Sequence, residues 1–386
     1  MIQFLFFKRL SRLISGCACA FLIGSCTSDG PDIIIRKAKE KAKADLTVRK
    51  EVRTIAFGSC ADPNLPMPVL NVSIDQKADL FIWLGDNIYG NTQDIEALNS
   101  DYEALGSHEN FKKLAEKTRL LATWDDRDYG WNDAGRHYPL KEASKEAFLS
   151  FWEEPPSSPR RSRPGIYMSY LFDGGRTDVH IILLDTRSFR SDLKRASGVA
   201  FQGTNDIAYA ADYVPHTHAD STLLGDSQWR WLEKQFEVRA DVRIIGSSTQ
   251  FGIEWNGYES WANFPHEQER IAEIIRKSNS LNRQRDQQEV PVLFISGDVH
   301  YGEISGWQSS QKAFDSVGDT LFDITSSGIN SSWDFATPNA NRIEGPLMEN
   351  NIGILRIGRP RQPFIVAELW DDQGQKRISR NLSAPK

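Results

Sequence analysis

The sequence predicts an α/β protein whose functional side chains gather at the carboxyl ends of its strands. Three observations carry this. Short apolar runs that stop abruptly at glycine recur along the chain, the clearest being Leu80–Leu84 (LFIWL) before Gly85-Asp86. Runs of this length read as strands buried on both faces. Charged stretches with an apolar helical period lie between them, as at residues 95–121. Several of the runs end in a side chain able to hold a metal, and open α/β sheets bind ligands just beyond the carboxyl ends of their strands.

Length and charge narrow the class. The chain has 386 residues and no marked linker after residue 50, so residues 51–386 read as one domain. Its 40% hydrophobic and 25% charged residues are ordinary globular values. A net charge of −6 with scattered basic residues argues against a nucleic-acid partner. Nothing in the sequence points to an obligate protein partner.

The N-terminus reads as an export signal, residues 1–26. Lys8, Arg9 and Arg12 form a positive region, and residues 13–23 an apolar core too short to span a bilayer permanently. Ile23-Gly24-Ser25-Cys26 resembles the lipobox of bacterial lipoproteins, in which the cysteine is lipidated and anchors the mature chain in the membrane. An ordinary secretory signal is the alternative; both imply an exported protein, periplasmic or on the cell surface. Residues 27–50 are charged and helix-prone, and read as a tether. With Cys17 and Cys19 inside the signal and Cys26 carrying lipid, Cys60 is the single thiol expected in the mature chain, and no disulfide framework is possible.

Taken in order, the run at 52–57 stops at Gly58-Ser59-Cys60, and a thiolate at a strand-end is a strong metal ligand. An inert buried cysteine is the plainer alternative. After Leu80–Leu84, Asp86 and Tyr89 offer two hard oxygen donors suited to a highly charged cation such as ferric iron, where an Asx-turn is the plainer reading. The helical stretch 95–121 leads into WDDRDYGWNDAG, residues 124–135. There Asp125, Asp126, Asp128 and Asp133 crowd together beside Arg127 and Asn132, an arrangement that is costly unless a cation or guanidinium neutralises it. Residues 138–175 read as irregular, with 154–164 a loop that could form a rim or lid.

Further along, the run at 179–184 ends in Asp185-Thr186-Arg187, where Arg187 either contacts phosphate or closes a structural turn. His216 and His218 lack a strand or helix to fix them and read as loop histidines. Asp226 reads as the N-cap of a helix carrying Trp229 and Leu232 on its buried face. The strand 242–246 ends in Ser247 and Ser248, weak ligands but useful hydrogen-bonding groups. The run at 290–296 stops at Gly297-Asp298-Val299-His300, a carboxylate with an imidazole two residues on. Residues 322–325, 352–357 and 364–369 read as closing strands.

Ligand-capable residues at four separate strand-ends imply a site assembled on one edge of a layered core, unlike the close local pairs of a zinc finger. FGSC at 57–60, GDNIYG at 85–90, TWDD at 123–126 with Asn132, LDTR at 184–187, LGDSQWRWL at 224–232 and SGDVH at 296–300 resemble, in order, the PhoD-type alkaline phosphatase/phosphodiesterases of the calcineurin-like metallophosphoesterases. The resemblance implies a four-layer α/β/β/α sandwich binding a ferric ion (Fe3+) and one or more calcium ions (Ca2+), and hydrolysis of phosphate esters by in-line attack of a metal-bound hydroxide. It implies that Cys60, Asp86, Tyr89 and His300 hold the iron, with Asp86 bridging to calcium held by Asp125 and Asp298. Asn132 would reach the second metal or a phosphate oxygen, Asp126 would help protonate the leaving group, and Arg127 would stabilise phosphoryl oxygens. Arg127 stands where the family usually has histidine, which leaves the general acid open. Two rivals are a phosphodiesterase directed at phospholipid or polymer, and a surface lipoprotein that binds metal without catalysis.

Overall fold

A computed structural model describes residues 42–90, 92–285, 287–310, 320–358 and 365–383. The export signal, Cys26 and residues 27–41 of the tether lie outside these. The rest of the tether is not a spacer. Its Leu46–Val48 pairs in parallel with Met168–Phe172, and Asp45 binds Arg163 at 2.7 Å. The β-branched pair Thr47-Val48 favours a strand where the flanking charges suggested solvated chain.

Two large sheets carry the fold. One has six strands. Thr54–Gly58, Leu80–Leu84 and Arg119–Thr123 run parallel, and Asn351–Ile357, Ile365–Asp371 and Lys376–Asn381 extend the sheet in antiparallel fashion beyond Thr54–Gly58. The other has eight. Its centre is the parallel set Val179–Leu183, Val242–Gly246, Val292–Ser296 and Leu321–Ser326. Leu46–Val48 and Met168–Phe172 lie at one edge, and the antiparallel Gly302–Trp307 and Arg342–Leu347 at the other.

Strand periodicity sorts the apolar side chains into three buried groups, because successive residues point to opposite faces. Ile55, Phe57, Leu80, Ile82 and Leu84 of the first sheet share one cluster with Ile181, Leu183, Ile244, Leu293 and Ile295 of the second. The alternate residues Ala56, Phe81, Trp83 and Ala122 pack instead on Leu98, Leu105, Leu114 and Phe148 from helices. On the second sheet Ile182, Ile245 and Phe294 pack on Trp229, Leu232 and Ile271 from others. Each of the Leu, Ile and Phe side chains among them contributes about 1.5–3 kcal/mol relative to exposure. The central parallel strands therefore read largely as hydrophobic runs, the pattern of strands covered on two faces, while the edge strands Arg342–Leu347 and Lys376–Asn381 do not.

The helices differ most from expectation. The stretch 95–121 forms two helices, Ile95–Ser107 and Glu109–Lys117, before its last residues enter a strand. His108 breaks it by taking an extended conformation and accepting the Asn110 N–H on its ring. Lys141–Phe151 is a helix inside the segment read as irregular, and its Lys, Glu and Ala content favours that state. Residues 154–164 are tied down rather than lid-like: Arg160 is buried, donates to the Ala122 carbonyl at 2.7 Å and pairs with Glu154. Asp226 lies within the first turn of Gly225–Gln235, not at its N-cap. The Leu223 and Leu224 amides before that turn instead donate to Glu267, from the helix Pro265–Gln284, at 2.8 and 3.1 Å.

Candidate metal centre

The parallel strands of both sheets end on a common rim, and contacts across that rim join them. Thr123 Oγ1 donates to the Leu184 carbonyl at 2.7 Å, Trp124 Nε1 to Asp185 at 3.0 Å, and Ser59 Oγ to the Ser326 carbonyl at 3.4 Å. Gly85 makes the closest approach possible. It has φ +101°, and a Cβ there would stand 2.5 Å from Asp125 Cβ. Glycine at this point lets the loop after Leu80–Leu84 press on the loop after Arg119–Thr123, which sets Asp86 beside Asp125.

Backbone strain concentrates on this rim. Cys60, Asp86, Asp133, Asp298 and His300 have positive φ, of 59°, 48°, 55°, 76° and 61°. Each costs on the order of 1–3 kcal/mol for a side-chain-bearing residue, and such costs persist where the surroundings over-determine a functional geometry. Four of the five are expected metal ligands.

Asp86, Asp125 and Asp126 each present a carboxylate oxygen within 4.8 Å of the others, all buried. Arg187 secures Asp125. Its Nε and Nη2 lie 2.6 and 2.5 Å from Asp125 Oδ1, and its Nη1 lies 2.7 Å from Glu259. Ser248 adds a hydroxyl to the same Asp125 oxygen at 2.6 Å. Asp125 Oδ2 is buried with no hydrogen-bond partner. A carboxylate saturated on one oxygen and bare on the other, among like charges, has the donor set of a hard-cation site. Burial, with Asp126, Cys60 and Asp125 alongside, pushes the Asp86 carboxyl well above the usual range, which a cation would reverse.

The remaining expected ligands surround this cluster. Cys60 is buried, with its Sγ 3.8 Å from Asp86 Oδ2 and accepting the Ser327 hydroxyl at 3.2 Å. Burial pushes the thiol up to about 11, although Ser327 and Ser59 favour the thiolate; a bound metal would deprotonate it. Tyr89 has a buried hydroxyl without a hydrogen-bond partner, and its ring lies 6.5 Å from that of His300. His300 Nδ1 meets the Ser331 carbonyl, which fixes the ring and leaves Nε2 as the ligand atom. Burial lowers its pKa and favours neutral imidazole, the ligand form. Asp298 approaches from the second sheet, its amide 3.3 Å from Ser59 Oγ and its carboxyl raised by burial and by Asp125 and Glu259.

Two expected roles, those of Arg187 and Asp126, meet a different geometry. Arg187 is fully buried, with its guanidinium already engaged by the carboxylates of Asp125 and Glu259. Asp126 belongs with the carboxylate cluster. Burial opposes its ionisation, yet Arg187, the Asp133 amide and Arg127 hold its carboxyl below the usual range, a poor setting for a proton donor. Asn132 is exposed, on the loop that leads from Tyr129 to Asp133. Arg127 keeps part of its side chain in solvent, with Nε 3.9 Å from Asp126 and the guanidinium 5.8 Å from the Tyr89 ring centroid.

The four crowded aspartates divide by role. Asp125 and Asp126 face the site. Asp128 accepts the Asp125 amide at 2.6 Å and the Asn87 side chain at 2.5 Å, bracing both loops. Asp133 accepts the Tyr213 hydroxyl at 2.5 Å. His216 stacks on Phe264 and bonds the Asp192 carbonyl, consistent with a loop histidine. Sequence reasoning missed Glu259, which ties Arg187 and Arg190 together and sits at no strand-end.

Paired sheets with a buried acidic cluster and an imidazole at their strand-ends define a metallophosphoesterase. The PhoD-like phosphatase family model matches residues 55–351, and the chain belongs to that family. It is a phosphoric ester hydrolase. The fold is shared with a solved PhoD structure (19% identity, TM-score 0.55, 88% of this chain and 73% of that one). It is shared also with GAP50, the anchor in the inner membrane complex of Plasmodium (13%, TM-score 0.53, 87% and 90%). A third match is purple acid phosphatase PPD1 from yellow lupin (Lupinus luteus) seeds (12%, TM-score 0.53, 86% and 54%). Among curated proteins none matches.

Proposed function

We propose that this chain is an exported hydrolase of phosphate monoesters and diesters that works with iron and calcium. The observation that carries the metal dependence is the buried trio Asp86, Asp125 and Asp126 with Asp125 Oδ2 unpartnered. Cys60, Asp86, Tyr89 and His300 would hold iron, and Asp86, Asp125, Asp126 and Asp298 would hold calcium. A thiolate, a phenolate and an imidazole suit the first, and clustered carboxylates the second. When bound, the metals supply an activated water and Lewis-acid neutralisation of the phosphoryl oxygens, the basis of in-line displacement.

The chain's own residues then orient and exclude. Arg187 and Glu259 fix Asp125, so Arg187 acts as a positioning residue and not as a phosphate contact. Ser331 fixes the His300 ring. Arg127, the partly open cation at the mouth, is the group available to a phosphoryl oxygen, and a guanidinium suits such an anion. The export signal and the lipobox cysteine Cys26 support anchoring in a bacterial membrane. A membrane setting favours phospholipid or polymer diesters as substrates. The shared fold of an anchor protein keeps a second, non-catalytic reading in view.

Hydrolysis of p-nitrophenyl phosphate and bis-p-nitrophenyl phosphate by metal-loaded protein tests the proposal. Turnover of either ester supports it, and a folded, metal-loaded protein that cleaves neither favours the anchor reading. Fractionation of Cys26→Ser against wild type checks the lipid: release of the variant from membranes is expected, and continued membrane retention would contradict the lipid anchor.

A further inference from the structure

Beside the metal centre lies a run of aromatic side chains that the chemistry so far does not use. The His300 ring stacks on Trp333 at 4.6 Å and 13°, and Trp333 on Phe335 at 5.2 Å and 9°. Trp333 lies 6.1 Å from Tyr258, which stacks on Tyr209 at 4.8 Å and 6°. Tyr209 stacks on Phe201, which meets Trp255 edge-on at 5.4 Å. These rings come from three separate segments: the hairpin Ala200–Gln202/Ala208–Ala210, the stretch 255–258 and the stretch 333–335.

The run is not sealed inside the core. All six aromatics keep part of their surface in solvent, including Phe201 and Tyr209, the inward members of a hairpin whose other strand residues are exposed. Contiguous aromatic surface left half-open to solvent is a mark of a binding surface, and this one begins at a residue of the metal centre. The stretch 255–258 also adjoins Glu259, which holds the Arg187 network, so shelf and centre share a loop.

We infer that this aromatic shelf binds the alcohol part of the substrate, and that the site takes phosphate esters whose alcohol carries a planar ring, such as a nucleobase or an aryl group. The inference rests on the phosphatase reading and adds its substrate class. A ring on the alcohol side would extend from a phosphoryl group at His300 and Arg127 onto Trp333, Phe335 and Tyr258. Planar rings prefer such offset or edge contacts with aromatic side chains.

The test compares adenosine 5′-monophosphate with ribose 5-phosphate, which share a primary alkyl leaving group and differ by the base. For wild type, kcat/KM is expected to favour the nucleotide by about tenfold or more, the scale of base–aromatic stacking. Tyr258→Ser and Phe335→Ser are expected to bring the two within about twofold, with ribose 5-phosphate turnover kept. The same variants with naphthyl and phenyl phosphates separate an aryl site from a nucleobase site: loss of a naphthyl preference alone assigns the shelf to aryl esters. Equal constants for nucleotide and sugar phosphate, with no naphthyl preference, would overturn the shelf while leaving the phosphatase reading intact. A metal-loaded wild type inactive on every ester would overturn both.

Discussion

Asp125 is where the chemistry of single residues is most exposed to test. One oxygen takes Arg187 and Ser248 while the other is bare, so the two substitutions that break this arrangement should act differently. Asp125→Asn keeps the shape but removes the charge. Metal content and ester hydrolysis should fall by roughly 100-fold or more, since indirect partners alone cost 10- to 100-fold at metal sites. Arg187→Met leaves Asp125 buried without its cation and Glu259 with Arg190 alone. It should destabilise the fold by about 3–5 kcal/mol in urea denaturation, whatever its effect on activity. An Arg187→Met protein of wild-type stability that has lost phosphate affinity alone would return Arg187 to a substrate role. Both Asp125 and Arg187 were visible in the sequence, but the pairing was not, because the two sit at the ends of strands in different sheets.

At the scale of elements, the strand-end loops set the site, and glycine decides how near they come. Gly85 and Gly374 both have positive φ, but a Cβ at Gly374 meets nothing within 4 Å whereas one at Gly85 meets Asp125. Gly374→Ala should cost only about 1–2 kcal/mol and leave activity unchanged. Gly85→Ala should add a clash of roughly 1–3 kcal/mol and abolish metal retention. Thermal melts with metal analysis on both variants check this; an active Gly85→Ala would mean that the close approach is dispensable. Elements of this kind were the legible part. Leu80–Leu84 stands where its apolar run begins and ends, since both its faces are buried and a continuous run has sharp limits; Val242–Gly246 keeps its expected bounds although Arg243 interrupts the run. Lys141–Phe151 and Pro265–Gln284 were not recognised, because helices rich in charged residues show only a narrow apolar stripe. The Asp226 cap failed for another reason: the helix starts one residue earlier, at Gly225, whose amide donates to the Thr222 hydroxyl, while the distant Glu267 holds the two residues before it.

Over the whole molecule, two sheets share one apolar interface and direct their polar ends to one rim, where buried like charges gather. Without a cation that rim opposes folding, and with one it supports it. Chelation should therefore lower Tm by about 5 °C or more, and added metal restore it, since ligand at a thousandfold excess over Kd stabilises by about 4 kcal/mol. An unchanged Tm on chelation would mean that the carboxylates stand without metal. The most direct measurement is metal analysis combined with hydrolysis of p-nitrophenyl and bis-p-nitrophenyl phosphate, on wild type, Cys60→Ala and Asp125→Asn side by side. The expected result is iron and calcium in an active wild type, iron lost with activity in Cys60→Ala, and calcium lost with activity in Asp125→Asn. Full activity and unchanged metal in Asp125→Asn would contradict a metal-dependent centre built on that carboxylate.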